Sequence, residues 1–206
     1  MSSPGEWLIL QRNYPDFTTK EEAFKSALGQ TLAFRSSNAN NWNYAWTLEG
    51  PTNIGGRFNC ITLNPTNNAI MYAGSASGGI FKTTDNGTNW NPVFDDQPWL
   101  SISCITLQPG NTDVIYAGTG DKNISGTPFV GDGIYKSTDG GITWNHSGLA
   151  SSRIISEVVI DPTNTNIVYA AAMGTPFIKD NNRGVYKSVD GGATWTQSLF
   201  VNDSTG

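Results

Sequence analysis

Short apolar stretches separated by polar turns recur along the chain in a fixed order. Each repeat holds a segment that ends in proline, a segment centred on tyrosine and alanine, and a segment that runs from glycine to lysine. Their β-branched and aromatic residues predict strands. The first set is Cys60–Pro65, Cys104–Pro109 and Glu157–Pro162, the second is Ile70–Gly74, Val114–Gly118 and Ile167–Ala171, and the third is Gly79–Lys82, Gly133–Lys136 and Gly184–Lys187.

A fourth strand signal follows in each repeat, after an almost unchanged turn at residues 83–90, 137–144 and 188–195. The turn begins with Ser or Thr, places Asp and Gly at its centre and ends in Trp. Four short strands in a period of about 50 residues are typical of the blades of a β-propeller. The sequence therefore predicts an all-β fold made of four-stranded antiparallel sheets.

The repeated turn has a structural interpretation. Its aspartate can accept hydrogen bonds from backbone N–H groups, its glycine can adopt the positive φ of a tight turn, and its tryptophan can anchor the outer strand. Calcium binding or catalysis is the alternative, but one catalytic site does not occur in three copies. The predicted structural residues are Asp85, Gly87, Trp90, Asp139, Gly141, Trp144, Asp190, Gly192 and Trp195.

The repeats also predict how the chain is organised. Residues 1–45 form an N-terminal extension with an amphipathic helix at about 18–34, where Thr18 and Glu21 resemble a capping box. Residues 46–206 form a propeller fragment that begins with an outer strand at Trp46. Three complete blades are expected at about 58–98, 102–150 and 155–200, followed by a truncation. Because a closed propeller needs at least about four blades, we expect the remaining blades or another chain to cover the open ends.

Charge and composition exclude several partners. Twelve Lys and Arg residues against 17 Asp and Glu residues give a net charge of -5, so no nucleic acid partner is expected, since that binding requires clustered cations. No apolar stretch is long enough to cross a membrane. His146 has no second histidine beside it, and Cys60 and Cys104 occupy equivalent blade positions that do not face each other. We expect no metal and no cofactor, with calcium at loop aspartates as the alternative.

Candidate binding residues lie on one predicted face. If strands A to D of each blade run outward from the propeller axis, the B–C and D–A connections share a face opposite the repeated turns. The B–C connections vary in length, which is common where a fixed scaffold carries function. The candidate ligand-binding residues are Arg57, Asp96, Trp99, Asp121, Asp132, Arg153 and Arg183. Structural roles are the alternative, notably for Arg57, and Phe129 and Phe177 are expected to fold their loops down instead of contacting a ligand.

The repeated turn resembles the Asp-box of BNR-repeat propellers, a group that contains sialidases, xyloglucan-cleaving glycosidases, sortilin-type receptor domains and photosystem assembly propellers. The segments Gln11–Pro15 and Trp46–Arg57 are similar to the start of large secreted, sortilin-like or glycosidase-like propeller proteins of Bacteroidota. The resemblance implies a secreted or cell-surface bacterial protein. Residues 1–16 lack the basic start and apolar stretch of a signal peptide.

Three functions are compatible with this resemblance. A xyloglucan-type glycosidase implies an acidic residue where this chain has Ala76, and a sialidase implies a larger arginine cluster. We therefore assign no catalytic residue and favour a non-catalytic module that binds a protein or glycan on the B–C/D–A face. The alternatives are a fragment of a glycoside hydrolase, whose catalytic residues lie mostly outside this chain, and a purely structural stalk module.

Overall fold

The computed structural model describes residues 20–37, 56–123 and 129–204. The chain divides into two compact units, residues 1–55 and 56–206, and each is described by itself. In the first unit, helix α1 spans Lys20–Ser37, so the predicted helix is present but begins and ends a few residues later than expected. The capping residue Thr18 and the strand expected at Trp46 lie outside the described residues.

The second unit contains three four-stranded antiparallel sheets, as the sequence predicts. In each sheet the strands pair in sequence order, and we call the sheets blades 1, 2 and 3. Blade 1 consists of β1 Phe58–Leu63, β2 Met71–Ser75, β3 Ile80–Thr83 and β4 Asn91–Pro92. Blade 2 consists of β5 Ile102–Gln108, β6 Asn111–Thr119, β7 Ile134–Ser137 and β8 Asn145–His146. Blade 3 consists of β9 Ile154–Ile160, β10 Val168–Gly174, β11 Gly184–Ser188 and β12 Thr196–Leu199, and a 3-10 helix at Ala150–Ser152 precedes it.

The hydrophobic core lies between neighbouring blades. Tyr72, Ile80 and Phe94 of blade 1 pack against residues of blade 2 that include Trp144, whose ring centroid is 5.2 Å from that of Phe94. An equivalent cluster joins blades 2 and 3. A single sheet buries little apolar surface alone, so each blade depends on its neighbour for stability.

Polar contacts repeat at the same two junctions. The Tyr72 hydroxyl and the Lys82 Nζ both donate to the carbonyl oxygen of Gly140 in blade 2, at 2.9 and 2.8 Å. In the next junction, Tyr116 and Lys136 both donate to the carbonyl oxygen of Gly191, each at 2.8 Å. Blades 1 and 2 therefore each use one tyrosine and one lysine to hold the repeated turn of the blade that follows.

The innermost strands are also linked directly. Thr62 on β1 donates its hydroxyl to the carbonyl of Ile105 on β5, and Thr106 on β5 donates to the carbonyl of Val158 on β9, both at 2.7 Å. Strand A of each blade therefore lies beside strand A of the next, which is the arrangement of propeller blades around an axis.

The repeated turns lie beside the A–B turns of their own blades. The Gly140 N–H donates to the backbone carbonyl of Asp113, and the Gly191 N–H donates to the backbone carbonyl of Asn166, both at 2.9 Å. The repeated turns and A–B turns thus share one face, as the strand order predicts, and the opposite face carries the B–C and D–A connections.

Candidate functional site

The repeated turns are held by their own aspartates. The Asp139 carboxylate accepts hydrogen bonds from the backbone N–H groups of Ile142 and Thr143 at 3.0 and 2.9 Å, and from the Thr143 hydroxyl at 2.6 Å. The Ser137 hydroxyl also donates to it, at 2.7 Å. The four contacts occupy both carboxylate oxygens of Asp139 within the turn.

Hydrogen bonding lowers the pKa of all three turn aspartates to about 2. The largest contribution comes from the Asn89 backbone for Asp85, and from the hydroxyls of Thr143 and Thr194 for Asp139 and Asp190. A carboxylate whose ionised form accepts several hydrogen bonds resists protonation. These groups are therefore anionic structural acceptors at neutral pH.

The face that carries the B–C and D–A connections holds a set of residues that we call the inner-rim cluster. It consists of four polar residues and one aromatic residue: Arg57, Asn59, Asp121, Asn123 and Phe129. Arg57 precedes β1, and its Nη2 donates to Asp121 Oδ2 in the B–C loop of blade 2. The Asp121 side chain is fully buried, whereas 46% of the Arg57 side chain is exposed. The structure thus brings together two residues that the sequence proposed separately, and the ion pair joins blades 1 and 2.

Two asparagines complete the polar part of the inner-rim cluster. Asp121 Oδ1 accepts from Asn59 Nδ2 at 3.3 Å and from the Asn123 backbone N–H at 3.1 Å. The Asn123 side chain donates to Asn59 Oδ1 at 2.9 Å, and Asn59 Nδ2 also donates to the Ile102 carbonyl at 2.9 Å. With these three partners, the buried Asp121 carboxylate positions Arg57, Asn59 and Asn123.

Phe129 adjoins this network through its backbone. The Asp121 N–H donates to the Phe129 carbonyl at 2.8 Å, yet 50% of Phe129 is exposed. Phe177, in the corresponding loop of blade 3, is 72% exposed and has a φ of 65°. The prediction that both rings fold their loops down is therefore wrong, because neither ring is buried against the blades.

A second charged contact continues around the inner strands. Lys122, next to Asp121, places its Nζ 3.9 Å from Glu157 Oε2 on β9. Both side chains are partly exposed, so this pair contributes little to stability. Asp121 and Lys122 thus contact different neighbouring blades. Asp121 pairs with Arg57 of blade 1, and Lys122 pairs with Glu157 of blade 3.

The other proposed residues lie apart from the inner-rim cluster. Asp132 is buried and accepts from the Tyr135 hydroxyl at 3.3 Å. Burial and the Asp132 charge raise the pKa of Tyr135. Arg183 is also buried, and its Nη2 donates to the carbonyls of Thr175 and Ile178 at 2.7 and 2.6 Å. Both residues therefore fasten their own B–C loops.

Three candidates lie on the connections between blades. Asp96 is exposed and Trp99 is half-buried between β4 and β5. Arg153, just before β9, is half-buried, has a φ of 56° and forms an isolated bridge with Gly174. All three lie in D–A connections, where the sequence placed them.

The two cysteines and the histidine do not belong to a metal-binding group in the described residues. Cys60 and Cys104 are both free thiols, Cys60 half-buried and Cys104 buried. His146 is exposed, and its Nε2 is 2.7 Å from the carbonyl oxygen of Asp132. Within residues 20–37, 56–123 and 129–204, no group of three or more His, Cys, Asp or Glu is arranged to hold a metal ion. In the same part of the chain, no helix is both long and apolar enough to span a membrane.

Comparison with known proteins supports the repeat and the fold. A model of the BNR/Asp-box repeat matches residues 135–146, which include the second repeated turn. The described blades are therefore blades of an Asp-box β-propeller, and we call the repeated turn the Asp-box from here on. A comparison of the sequence with curated proteins gives no match.

Solved structures with the same arrangement of blades include two GH74 enzymes. An ancestral GH74 enzyme has a TM-score of 0.58 and 23% identity, over 78% of this chain and 21% of its own. The GH74 enzyme of Niastella koreensis has a TM-score of 0.54 and 24% identity, over 70% of this chain and 23% of its own. YCF48 from Cyanidioschyzon merolae has a TM-score of 0.47 and 17% identity, over 74% of this chain and 42% of its own. The chain thus spans less than a quarter of either GH74 enzyme, and at this identity the similarity shows the fold alone.

Sequence reasoning missed the two asparagines of the inner-rim cluster. Asn59 lies within a strand that reads as an ordinary inner strand, and Asn123 contacts it across 64 residues of sequence. The available signal was the amide side chain of Asn59 inside strand A, where Thr62 is the other polar residue.

Proposed function

We propose that this chain is a secreted or cell-surface module that binds a protein or glycan ligand on the B–C/D–A face. The observation that carries the proposal is the inner-rim cluster, in which a buried carboxylate positions a half-exposed guanidinium and whose B–C loop carries an exposed phenylalanine. The likeness to other Asp-box propellers supports a scaffold that presents loops on one face.

The chemistry of the cluster suits recognition. Because Asp121 is bound by Arg57, Asn59 and Asn123, its carboxylate is committed to structure. A guanidinium has five N–H donors, and Arg57 presents a partly exposed set of them to hydroxyl or carboxylate oxygens. The exposed ring of Phe129 offers an apolar surface on which a sugar or a side chain can pack.

A glycoside hydrolase is the second candidate, and the similarity to two GH74 structures favours it. The described blade 1 argues for binding instead. Ala76 stands where the resemblance implies a catalytic carboxylate, is 4% exposed, and donates its N–H to the Arg57 carbonyl at 2.9 Å. The short B–C turn of blade 1 is closed by a hydrogen bond from the Ser75 N–H to the Gly79 carbonyl oxygen, at 2.9 Å.

A glycan array combined with polysaccharide hydrolysis assays on the whole chain tests the proposal. Phe129→Ala is expected to weaken glycan binding about fivefold, which corresponds to roughly 1 kcal/mol of aromatic contact. Ile142→Ala is the matched control, because Ile142 is 77% exposed on the Asp-box face. It is expected to leave the affinity unchanged.

Arg57→Gln tests the guanidinium separately, with Lys179→Gln as the charge-matched control. Lys179 lies on the same face but outside the inner-rim cluster, in the B–C loop of blade 3, and its side chain is 79% exposed, so the control separates the cluster from the charge of the face as a whole. Binding that survives both Arg57→Gln and Phe129→Ala would remove the inner-rim cluster from the proposal. Polysaccharide turnover that a single loop aspartate substitution abolishes would instead establish the hydrolase.

A further inference from the structure

A groove of about 420 Å³ lies between the outer parts of blades 1 and 2, and we call it the outer-rim groove. Residues 92–97, from the end of β4 into the D–A connection, form one wall, and residues 141–144 of the second Asp-box form the other. Both walls belong to described blades that pack against each other. The groove shares no residue with the inner-rim cluster.

The junction between blades 2 and 3 shows which hydrogen bonds the equivalent position holds there. Trp195 Nε1 donates to the Ser147 carbonyl oxygen at 2.7 Å, and the Ser147 hydroxyl donates to the Gly192 carbonyl oxygen at 2.8 Å. Ser147 therefore satisfies both the tryptophan and the glycine of the following Asp-box.

The junction between blades 1 and 2 has no such serine. Val93 holds the position of Ser147, because each donates its N–H to the carbonyl of the first strand C residue in its blade, at 2.9 and 2.7 Å. Valine has no hydroxyl to donate to the Gly141 carbonyl oxygen. Trp144 is 7% exposed, and its Nε1 is buried with no hydrogen-bond partner among the described residues, which is unfavourable for a buried donor.

A phenylalanine explains why the indole finds no acceptor in blade 1. In blade 2 the corresponding residue is Gly148, which has a φ of 99°, and a Cβ atom added to it would lie 2.8 Å from Trp195 Cδ1. Phe94 does not adopt a positive φ, and its ring is buried with its centroid 5.2 Å from that of Trp144. The backbone therefore takes a different course here, and the Val93 carbonyl does not accept from the indole.

The unpartnered indole nitrogen is directed into the outer-rim groove. A Cβ atom added at Gly141 would lie 3.5 Å from Trp144 Cζ2, and one added at Gly192 would lie 3.5 Å from Trp195 Cζ2. Each tryptophan thus has the same orientation on its own Asp-box. Because Trp195 Nε1 points at Ser147 of the preceding blade, Trp144 Nε1 points at the matching residue of blade 1, which lines the groove.

The group that fits this position is a hydroxyl. A hydroxyl both accepts and donates, so it can accept from Trp144 Nε1 and donate to the Gly141 carbonyl oxygen. An ammonium group only donates and a carboxylate only accepts. Neither of these can therefore replace both contacts of the missing serine.

The rest of the groove suits a ligand with several hydroxyls. Asp95 and Asp96 are exposed on the blade 1 wall, where carboxylates accept from hydroxyl groups and repel anions. Pro92 and Val93 add apolar surface for the C–H groups of a sugar ring. The volume of the groove is within the range of small-molecule sites.

We propose that the outer-rim groove binds one uncharged sugar residue. One of its hydroxyls lies between Trp144 Nε1 and the Gly141 carbonyl oxygen, and others bind Asp95 and Asp96. The sugar takes the place that Ser147 fills in the next junction. This site is additional to the ligand proposed above, because it uses the outer rim and not the inner-rim cluster.

Nuclear magnetic resonance of the ¹⁵N-labelled whole chain tests the site, with the methyl glycosides of glucose, galactose and mannose as probes. At least one is expected to shift the Trp144 indole N–H resonance, which is the signal that Trp144→Phe removes, with a Kd of about 1 mM for a ligand of this size. Methyl glucuronide is an anion, so it is expected to bind about fivefold more weakly than methyl glucoside beside Asp95 and Asp96.

Trp144→Phe and Trp195→Phe are a matched pair, in which saturation transfer from protein to sugar measures binding. Trp144→Phe is expected to abolish the transfer, whereas Trp195→Phe is expected to retain it, because Ser147 already fills the second junction. Val93→Ser supplies an internal donor for Gly141 and is expected to weaken sugar binding about tenfold. Circular dichroism verifies that every variant is folded.

Variants at the two sites separate this proposal from the inner-rim ligand. Phe129→Ala is expected to leave binding in the groove unchanged, whereas Ile142→Ala, at the open edge of the groove, is expected to weaken it. A glycan with the reverse pattern occupies the inner-rim cluster and contradicts the groove as its site. A Trp144 resonance that no glycoside shifts, or that only N-acetylserinamide shifts, overturns the proposal and leaves water or a protein hydroxyl as the occupant. Sugar binding that both Trp144→Phe and Val93→Ser retain also overturns it.

Discussion

The Tyr72 hydroxyl of blade 1 donates to the Gly140 carbonyl of blade 2, at 2.9 Å. Gly140 lies directly after Asp139, whose carboxylate fixes the conformation of the turn through Ile142 and Thr143. The Asp-box is therefore an acceptor for the preceding blade as well as a turn within its own blade. Burial, aided by the charge of Asp113, raises the pKa of Tyr72 to about 12, so the hydroxyl keeps its proton across the physiological range.

Removal of one such hydroxyl is expected to weaken one junction selectively. Tyr116→Phe deletes the donor to Gly191, leaving Lys136 as the remaining donor to that carbonyl. We expect a loss of about 1 kcal/mol in the free energy of unfolding, the usual net value of a buried neutral hydrogen bond. Urea denaturation at low protein concentration measures it.

Tyr169→Phe is the matched control for Tyr116→Phe. Its hydroxyl is at the same repeat position in blade 3, but the residue is 37% exposed instead of 0%. The control is expected to change the unfolding free energy of the monomer by less than about 0.5 kcal/mol. Equal losses in both variants would contradict the role of the Gly191 contact.

The repeat made most of the fold predictable, because Asp85, Asp139 and Asp190 recur at intervals of about 50 residues and each marks a strand C to strand D turn. The inner-rim cluster was less predictable. Arg57 and Asp121 were both identified, but their ion pair depends on how blade 1 and blade 2 are placed side by side. Arg183 shows a second limit, because a loop arginine in the sequence gives no sign that it folds back onto carbonyls of its own loop.

Acid is expected to destabilise the blades through the three Asp-box carboxylates. Their folded pKa of about 2 is below the ordinary aspartate value of 3.8. Their contribution to stability is therefore fully present above about pH 3.8, and it is lost as pH falls through about 2, because the unfolded chain takes up these protons first. Thermal unfolding midpoints across this range should fall steadily toward low pH.

Asp139→Asn isolates one Asp-box in the same experiment. The neutral amide removes the charge that accepts from Ser137 and Thr143, so the variant is expected to be less stable than wild type at pH 7. It should also lose part of the decrease between about pH 4 and pH 2. A stability difference between the two proteins that is the same at every pH in this range would show that Asp139 does not contribute through its ionised form.

Close approach of neighbouring blades requires a small residue on β6. A Cβ atom added at Gly118 would lie 2.6 Å from Cys104 Sγ and 2.9 Å from the Ile155 carbonyl oxygen of blade 3. Gly118→Ala is therefore expected to cost about 1–3 kcal/mol of unfolding free energy through overpacking. Gly56→Ala is the control, since no atom lies within 4 Å of its added Cβ. A Gly118→Ala protein as stable as this control would mean that blades 2 and 3 can move apart at this position without a loss of unfolding free energy.

The two thiols are expected to react at different rates in the folded protein. Cys104 is 2% exposed, and burial, reinforced by the charge of Glu157, raises its pKa to about 12. Cys60 is half-buried and packs against the hydrophobic cluster between blades 1 and 2, and burial also raises its pKa. Because the thiolate is the reactive form, iodoacetamide should modify Cys60 slowly and Cys104 only after unfolding.

Mass spectrometry of the alkylated protein measures this difference, with Cys60→Ser as the control. Native wild type is expected to gain one adduct and native Cys60→Ser none, whereas in denaturant the two proteins should gain two and one. Equal native rates at both thiols would contradict the burial of Cys104 between blades 2 and 3.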